Sequence, residues 1–321
     1  MDSAIIAAAV SKLRAGEVVA FPTETVYGLG ADAARADAVA KIFERKGRPP
    51  DHPLIVHIAD QQALTVWAGA VSPHAHTLAE RFWPGPLTLI LPRAPGVLDS
   101  VTGGQATIGV RCPAHPIATA LLQACALHGI QGLAAPSANR FGRISPTTAT
   151  HVHEEFGPDL MIVDGGPCRI GIESTIVDVS AVDPRILRPG IIGLEAIAEA
   201  LHTQVFATNA EAPRVPGTLA VHYAPNTTLL LAAPSEVAEI AAALRAHGLR
   251  VIALLREGQA PPGIASIAMP LNVCAYAERL YASLRLADTA RVDRIVVETP
   301  PETAEWLAIR DRLQRAAGLS R

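Results

Sequence analysis

Val18-Val19-Ala20-Phe21-Pro22-Thr23-Glu24-Thr25-Val26-Tyr27-Gly28-Leu29-Gly30 is the stretch on which the reading turns, because an apolar run ends abruptly in hydroxyls and glycines. The spacing predicts a strand over Val18–Phe21 that delivers a binding loop. Pro22 cannot donate to a sheet ladder, so pairing is expected to stop there. Gly28 and Gly30 are expected to turn the backbone tightly or let it approach a ligand. A helix over Ala36–Arg45 follows, then Lys46-Gly47-Arg48-Pro49, a basic pair ahead of a second apolar strand. Hydroxyls and fixed cations at strand ends point to an anionic ligand.

Two other readings compete. Gly28-Leu29-Gly30-Ala31-Asp32-Ala33 fits the relaxed dinucleotide fingerprint G-x-G-x-x-A. However, Pro22 to Tyr27 separate its first glycine from the strand, which breaks the geometry that seats a pyrophosphate on a helix N-terminus. A purely structural turn is the second.

The 321 residues exceed a comfortable single core and predict two domains. A net charge of -3 gives no electrostatic footprint for nucleic acid. No apolar stretch is long enough for a membrane span and the N-terminus lacks a signal-peptide pattern, so a cytoplasmic protein is expected. Cys112, Cys125, Cys168 and Cys274 form no C-x-x-C pair, so neither a zinc site nor a disulfide framework is indicated, and reduced, structural thiols are expected. Lys12, Lys41 and Lys46 are the only lysines among 27 basic residues. In a chain that writes arginine almost by default, Lys46 beside the binding loop marks a place suited to a compact ammonium.

Strands are expected at Val18–Phe21, Leu54–Ile58, Leu87–Leu91, Ile108–Arg111, Leu133–Ala135, Met161–Val163, Thr175–Val179 and Arg185–Leu187. Helices are expected at Ser3–Ala15, Ala36–Arg45, Pro73–Phe82, Pro116–Leu127, Leu194–Leu201 and Thr147–Phe156, the last opened by Ser145-Pro146. Strands outnumber helices and several are consecutive, which favours an α/β fold of the α+β kind, a twisted mixed sheet with helices packed against it. The expected domains are 1–204, a linker or lid over 205–226, and 227–321 as a small Rossmann-like α/β domain. In that last part strands at Leu229–Ala232, Arg250–Leu255, Ile264–Ala268 and Val292–Val297 alternate with helices at Ser235–His247, Cys274–Ala287 and Thr303–Ala317. Its turns carry no phosphate-gripping glycine run, so a supporting or gating role is expected.

The polar residues just off strand ends are Thr23, Thr25, Lys46, Arg48, His57, Thr107, Arg111, Ser137, Asn139, Ser145, Ser174 and Arg188. Cations and hydroxyls dominate, paired acids are absent, and neither H-E-x-x-H nor a Walker A pattern occurs. A phosphate cradle of another kind is implied. Strand-end Arg111 suits a carboxylate or phosphate. Ala135-Pro136-Ser137-Ala138-Asn139 with His57 as base could also be a hydrolase nucleophile, but it lacks the glycines of the elbow motif. Ser137 and Asn139 could equally form an Asx-type turn, and His57 a satisfied core histidine.

Seven segments in order resemble the threonylcarbamoyl-adenylate synthases, the YrdC-like family: Pro22–Gly30, Lys46-Gly47-Arg48-Pro49, Pro53–Ile58, Trp83–Thr88, Pro136–Asn139, Glu173–Asp178 and Arg188-Pro189-Gly190. His222-Tyr223-Ala224-Pro225 and the α/β tail resemble the long, two-domain form. Pro216–Val221 departs from the Pro-Gly-Met-Lys-Tyr-Lys linker of archaeal members.

The resemblance implies a sheet bent round a large basic concave cavity. It also implies a reaction in which L-threonine, bicarbonate or CO2 and ATP give threonylcarbamoyl-AMP and pyrophosphate. A downstream complex would transfer the threonylcarbamoyl group to the adenosine beside the anticodon of tRNA. By the same resemblance Lys46 and Arg48 are catalytic, and Lys46, Arg48, Thr107, Ser137, Asn139, Ser145, Arg188 and Tyr223 bind ATP. Thr23, His57, Arg111 and Ser174 surround threonine. Mg2+ is expected with ATP, held by phosphates and water rather than by a protein metal site. Weak RNA binding stays open, and three rival functions are a pure RNA-binding module, a carbamoyl-phosphate-using maturation enzyme and a nicotinamide oxidoreductase. The net charge argues against the first; the second would carry acylphosphatase and zinc modules that this sequence lacks.

Overall fold

The computed structural model describes residues 3–209, 211–257 and 261–319. Residues 1, 2, 210, 258–260, 320 and 321, within the expected domain spans, lie outside the described residues. The chain divides into two compact units. The first comprises the chain up to Phe141, Pro146–Arg169 and Glu173–Thr218; the second comprises Gly142–Ser145, Ile170–Ile172 and the chain from Leu219.

The strands of the first unit are β1 (Val19–Phe21), β2 (Gly28–Asp32), β3 (Ile55–His57), β4 (Leu87–Pro92), β5 (Thr107–Arg111), β6 (Leu133–Ala134), β7 (Met161–Ile162), β8 (Thr175–Asp178), β9 (Arg185–Arg188) and β10 (Phe206–Ala207). They form one mixed sheet in the order β10-β9-β8-β4-β5-β3-β6-β2-β1-β7. Its helices are α1 (Ser3–Arg14), α2 (Ala36–Lys46), α3 (Leu64–Trp67), α4 (Pro73–Phe82), α5 (Asp99–Thr102), α6 (Pro116–Leu127), α7 (Ala149–Phe156) and α8 (Leu194–Leu201). Ser72 starts α4 by accepting from the Ala75 N–H at 3.2 Å, with Pro73 in the first turn.

Alternation along the strands gives the two sheet faces different fates. On one, Ala20, Val56, Leu89, Val110 and Val177 join α2, α3, α4 and α8 in the main core, through Ile42, Trp67, Leu78 and Ile197. On the other, Val19, Phe21, Leu133 and Val163 lie under α1 and α6. Over the remaining half of that face, Ile55, Ile90, Ile176 and Leu187 cluster with Val215 instead. The alternation sets His57, Thr88, Thr107 and Arg111 among them. A Cβ on Gly109 would meet Ile90 at 3.2 Å and Thr88 at 3.6 Å, which fixes this facing.

Of the two expectations for Gly28 and Gly30, the tight turn is not formed: both lie in a strand, β2, antiparallel to β1 with Phe21 opposite Gly28 and Val19 opposite Gly30. The smallness of Gly30 serves packing, since a Cβ there would sit 2.7 Å from the Phe21 ring. The first cap of α7 is Thr148, not Ser145-Pro146; its hydroxyl accepts from the His151 N–H at 3.2 Å. Phe206–Ala207, expected in the linker, pairs in parallel with β9 at the sheet edge. Burial pushes the thiols of Cys112 up to about 11 and of Cys125 and Cys168 to about 12, whereas Cys274 is exposed and has no core role.

The second unit runs β11 (Thr228–Ala232), α9 (Val237–Ala246), β12 (Val251–Leu255), β13 (Ala265–Ala268), α10 (Val273–Thr289), β14 (Arg294–Glu298) and α11 (Leu307–Ala316), the last preceded by a 3-10 turn at Ala304–Trp306. Its sheet is wholly parallel, in the order β11-β14-β12-β13. No helix among the described residues is long and apolar enough to cross a membrane.

Gly30→Ala should cost about 1–3 kcal/mol by overpacking, read by urea unfolding, and Phe21→Leu in the same chain should recover part of it. An unchanged midpoint would show that the strand has slack at this point.

Candidate active site

The hydroxyls of the opening loop are held by an internal network. Thr23 Oγ1 lies 2.8 Å from Thr25 Oγ1 and donates to the Val26 carbonyl at 2.7 Å. Thr25 Oγ1 accepts from Arg111 Nη1 at 2.9 Å. Glu24, which sequence reasoning passed over, holds Arg111 Nη2 at 2.7 Å and accepts the Ala114 N–H at 3.1 Å. Arg111 Nε reaches the Gly85 carbonyl at 3.3 Å, which ties in the Trp83–Thr88 segment. The signal for Glu24 was its place as the one carboxylate in a hydroxyl-rich loop.

His57 stands opposite Arg111 in the parallel β3–β5 register. Burial first, and the Arg111 charge second, lower its pKa from 6.5 to about 3. The imidazole is therefore neutral, and with Nδ1 3.3 Å from the Ile55 carbonyl it donates there, leaving Nε2 as an acceptor. Ser174, just before β8, shares a 2.8 Å hydrogen bond with Thr88, a second residue that sequence reasoning missed. Arg188 donates to the Ser174 carbonyl at 2.9 and 3.1 Å, to its hydroxyl at 3.1 Å and to the Pro216 carbonyl at 3.0 Å. A register shift between Ile176 and Val177 bulges β9 beside Arg188, the kind of irregularity that re-aims side chains.

Lys46 ends α2, and Gly47, at φ 62°, takes the left-handed conformation that terminates the helix and turns the chain toward Arg48. The buried Lys46 Nζ donates to the Ser137 carbonyl at 2.6 Å and the Asn139 carbonyl at 2.5 Å. Burial, then the Arg48 charge, push its pKa well below the usual lysine range. Arg48 donates to the Pro53 carbonyl at 2.9 Å and lies over the Phe141 ring at 5.6 Å. Ser137 bridges to Gly28, and the Ala138 N–H donates to the Tyr27 carbonyl at 2.8 Å, so the first and fifth segments are joined by backbone bonds.

The structure thus brings together Thr23, His57 and Arg111; Ser174 and Arg188; and Lys46, Ser137 and Asn139, with Arg48 next along the chain from Lys46. Thr107 shares the sheet face of Arg111. Ser145 and Tyr223 belong to the second unit. There Tyr223 takes a positive φ of 60°, stacks on Tyr281 at 5.7 Å and carries the Arg312 guanidinium over its ring at 5.3 Å.

A family model for the Sua5/YciO/YrdC domain, described as telomere recombination, matches residues 11–190. A second, described as the C-terminal domain of threonylcarbamoyl-AMP synthase, matches residues 192–318. The chain belongs to the two-domain threonylcarbamoyl-AMP synthases of the Sua5/YciO/YrdC family. Similar members include the Bacillus subtilis threonylcarbamoyl-AMP synthase, 44% identical over 98% of this chain and 93% of that protein. The crystal structure of Pyrococcus abyssi Sua5 complexed with L-threonine superposes with a TM-score of 0.90 at 39% identity, covering 98% of this chain and 94% of that one. Escherichia coli YciO covers 59% of this chain and 91% of its own, with a TM-score of 0.50 at 25% identity.

Neutral burial of His57 has a measurable pH signature. Above pH 6.5 it is uncharged in both folded and unfolded chains; below, only the unfolded chain takes up the proton until about pH 3. Stability should therefore fall as pH drops, by about 1.4 kcal/mol per unit for this group. Between pH 7 and 5, His57→Gln should lose about 2 kcal/mol less than the parent in urea unfolding. Equal losses would mean that His57 titrates normally.

Proposed function

We propose that this chain makes threonylcarbamoyl-AMP from L-threonine, bicarbonate or CO2 and ATP in the cytoplasm, for a downstream complex that modifies tRNA. The observation that carries the reading is Arg111, a buried cation whose neighbours leave part of its fork open. Of the five N–H donors of a guanidinium, three are spent on Glu24, Thr25 and Gly85, and one on each Nη remains. That pair matches a carboxylate bidentately, as the α-carboxylate of threonine requires. Beside it, the Nε2 lone pair of His57 can accept an N–H from the threonine amine.

In the reaction the amine nitrogen bonds to the carbon of CO2 and releases a proton. A carbamate oxygen then bonds to the α-phosphorus, and the bond from that phosphorus to the bridging oxygen breaks, releasing pyrophosphate. No protein nucleophile is needed. The chain's contribution is to orient two anions and offset their charge, from Lys46, Arg48 and Arg188 and the hydroxyls of Ser137 and Thr107. The Lys46 ammonium is held by carbonyl dipoles and not by a carboxylate, so its charge acts on a nearby anion. Mg2+ enters as part of the MgATP substrate, ligated by phosphate and water.

Pyrophosphate release should require both L-threonine and bicarbonate and be much slower with L-serine. Arg111→Lys should raise the KM for threonine about 10- to 100-fold, the equivalent of one lost charge-assisted contact, with the KM for ATP nearly unchanged. Release independent of threonine would overturn the reading, and a shift in the KM for ATP alone would move Arg111 to the nucleotide.

A further inference from the structure

The second unit has a feature outside the synthase chemistry. Its chain passes from β11 through α9 to β12 and on to β13, then reverses through α10 to reach β14 between β11 and β12. Right-handed crossovers running in opposite directions put α9 and α10 on opposite faces. Val237 and Ala241 of α9 pack on Ala253, Leu255 and Val296. Tyr276 of α10 meets Trp306, at the start of α11, edge-on at 5.3 Å, so α11 shares the side of α10. The adjacent strands β11 and β14 therefore send the chain to opposite faces. Such a switch point opens a crevice beyond the strand C-termini, where open parallel sheets bind ligands.

A cavity of about 450 Å3 lies there, between Ala233 and Pro234 after β11 and Thr299, Pro300 and Pro301 after β14. Its size is that of a small-molecule pocket. The backbone donors that could cradle a phosphate are already taken. The N–H groups of Arg256 and Glu257 donate to Glu298 Oε2 at 3.0 and 3.3 Å, and the Ala233 N–H donates to Glu236 Oε2 at 3.3 Å.

What the lining offers is a pair of opposite side-chain charges, Arg256 and Glu302. The Arg256 guanidinium is held over the Trp306 ring at 5.5 Å, with its Nε 4.0 Å from the buried Glu298 carboxylate. Its Nη2 holds a carboxylate, Glu257 Oε1 at 2.5 Å, on a side chain 57% exposed. So exposed a partner is easily exchanged and shows which group the fork accepts. Glu302, 85% exposed and paired with Arg310 at 3.0 Å, supplies the opposite charge.

We propose that this crevice binds a free α-amino acid, its carboxylate on Arg256 in place of Glu257, its ammonium at Glu302 and its side chain against the prolines. The site shares no residue with the synthase machinery. The test uses the full chain, 15N-labelled, whose three tryptophans give three indole N–H resonances, with Trp306→Phe assigning the one at the crevice. At millimolar concentration at least one proteinogenic amino acid should shift the Trp306 resonance saturably. The matching amino alcohol, the matching carboxylic acid and inorganic phosphate should not. Arg256→Lys, which keeps the charge opposite Glu298, and Glu302→Gln should each weaken binding about tenfold or more while the Trp67 and Trp83 resonances of the free protein stay in place. The proposal is overturned if no amino acid moves the Trp306 resonance, if phosphate or the amino alcohol moves it equally, or if both variants bind as the parent does. Threonine-dependent pyrophosphate release, measured on the same samples, reports on the synthase reading separately.

Discussion

The buried pair of Arg111 and Glu24 governs the architecture of the first unit. Their side chains are only 5% and 11% exposed. Taking each charge out of water costs several kcal/mol, which the pair offsets better the more of its other donors and acceptors are hydrogen-bonded. That dependence draws in the Thr25 hydroxyl, the Gly85 carbonyl and the Ala114 N–H. One ion pair thereby ties the loop after β1, the turn before β4 and the chain leaving β5. These segments lie far apart in sequence, and removing either charge would strand the other.

The same logic explains why one sheet face is treated in two ways. Where α1 and α6 cover it, the inward positions are Val19, Phe21, Leu133 and Val163, and burial of apolar surface stabilises the layer. Where they do not, the strands carry His57, Thr88, Thr107 and Arg111 between isoleucines. Those isoleucines still gain a partner, Val215, from the chain approaching the second unit. Polar groups buried on such a face stay there at a cost in stability, which the two fully apolar layers can offset. His57 illustrates the cost: its imidazole is held neutral far below its ordinary pKa.

Much of this was legible in the sequence, and the failures have physical causes. α4, α6 and α8 match their expected limits because proline and the apolar period mark them. At β2 the glycines pointed to a tight turn or a close approach to a ligand because they weaken strand propensity, and only the Phe21 ring across the hairpin shows why Gly30 must be small. The edge strand Phe206–Ala207 is two residues long and has no pattern to detect. Thr148 was overlooked as a cap because Ser145-Pro146 carries the stronger local signature. In the site, cations and hydroxyls at strand ends were visible one by one. Glu24 and Thr88 were not, since each matters through a partner 87 and 86 residues away.

Lys46 shows how a compositional bias becomes geometry. Nearly every other basic residue in the chain is arginine. At Lys46, two carbonyl oxygens approach one nitrogen at 2.5 and 2.6 Å, converging on a point that a planar, forked guanidinium cannot occupy. A compact amine fits, and even in its neutral form it keeps two N–H donors, enough for both carbonyls. The bonds that join the end of α2 to the Ser137–Asn139 loop therefore survive the depression of the lysine pKa by burial and by Arg48. Lysine at this position holds the end of α2 and the Ser137–Asn139 loop together in either state of charge.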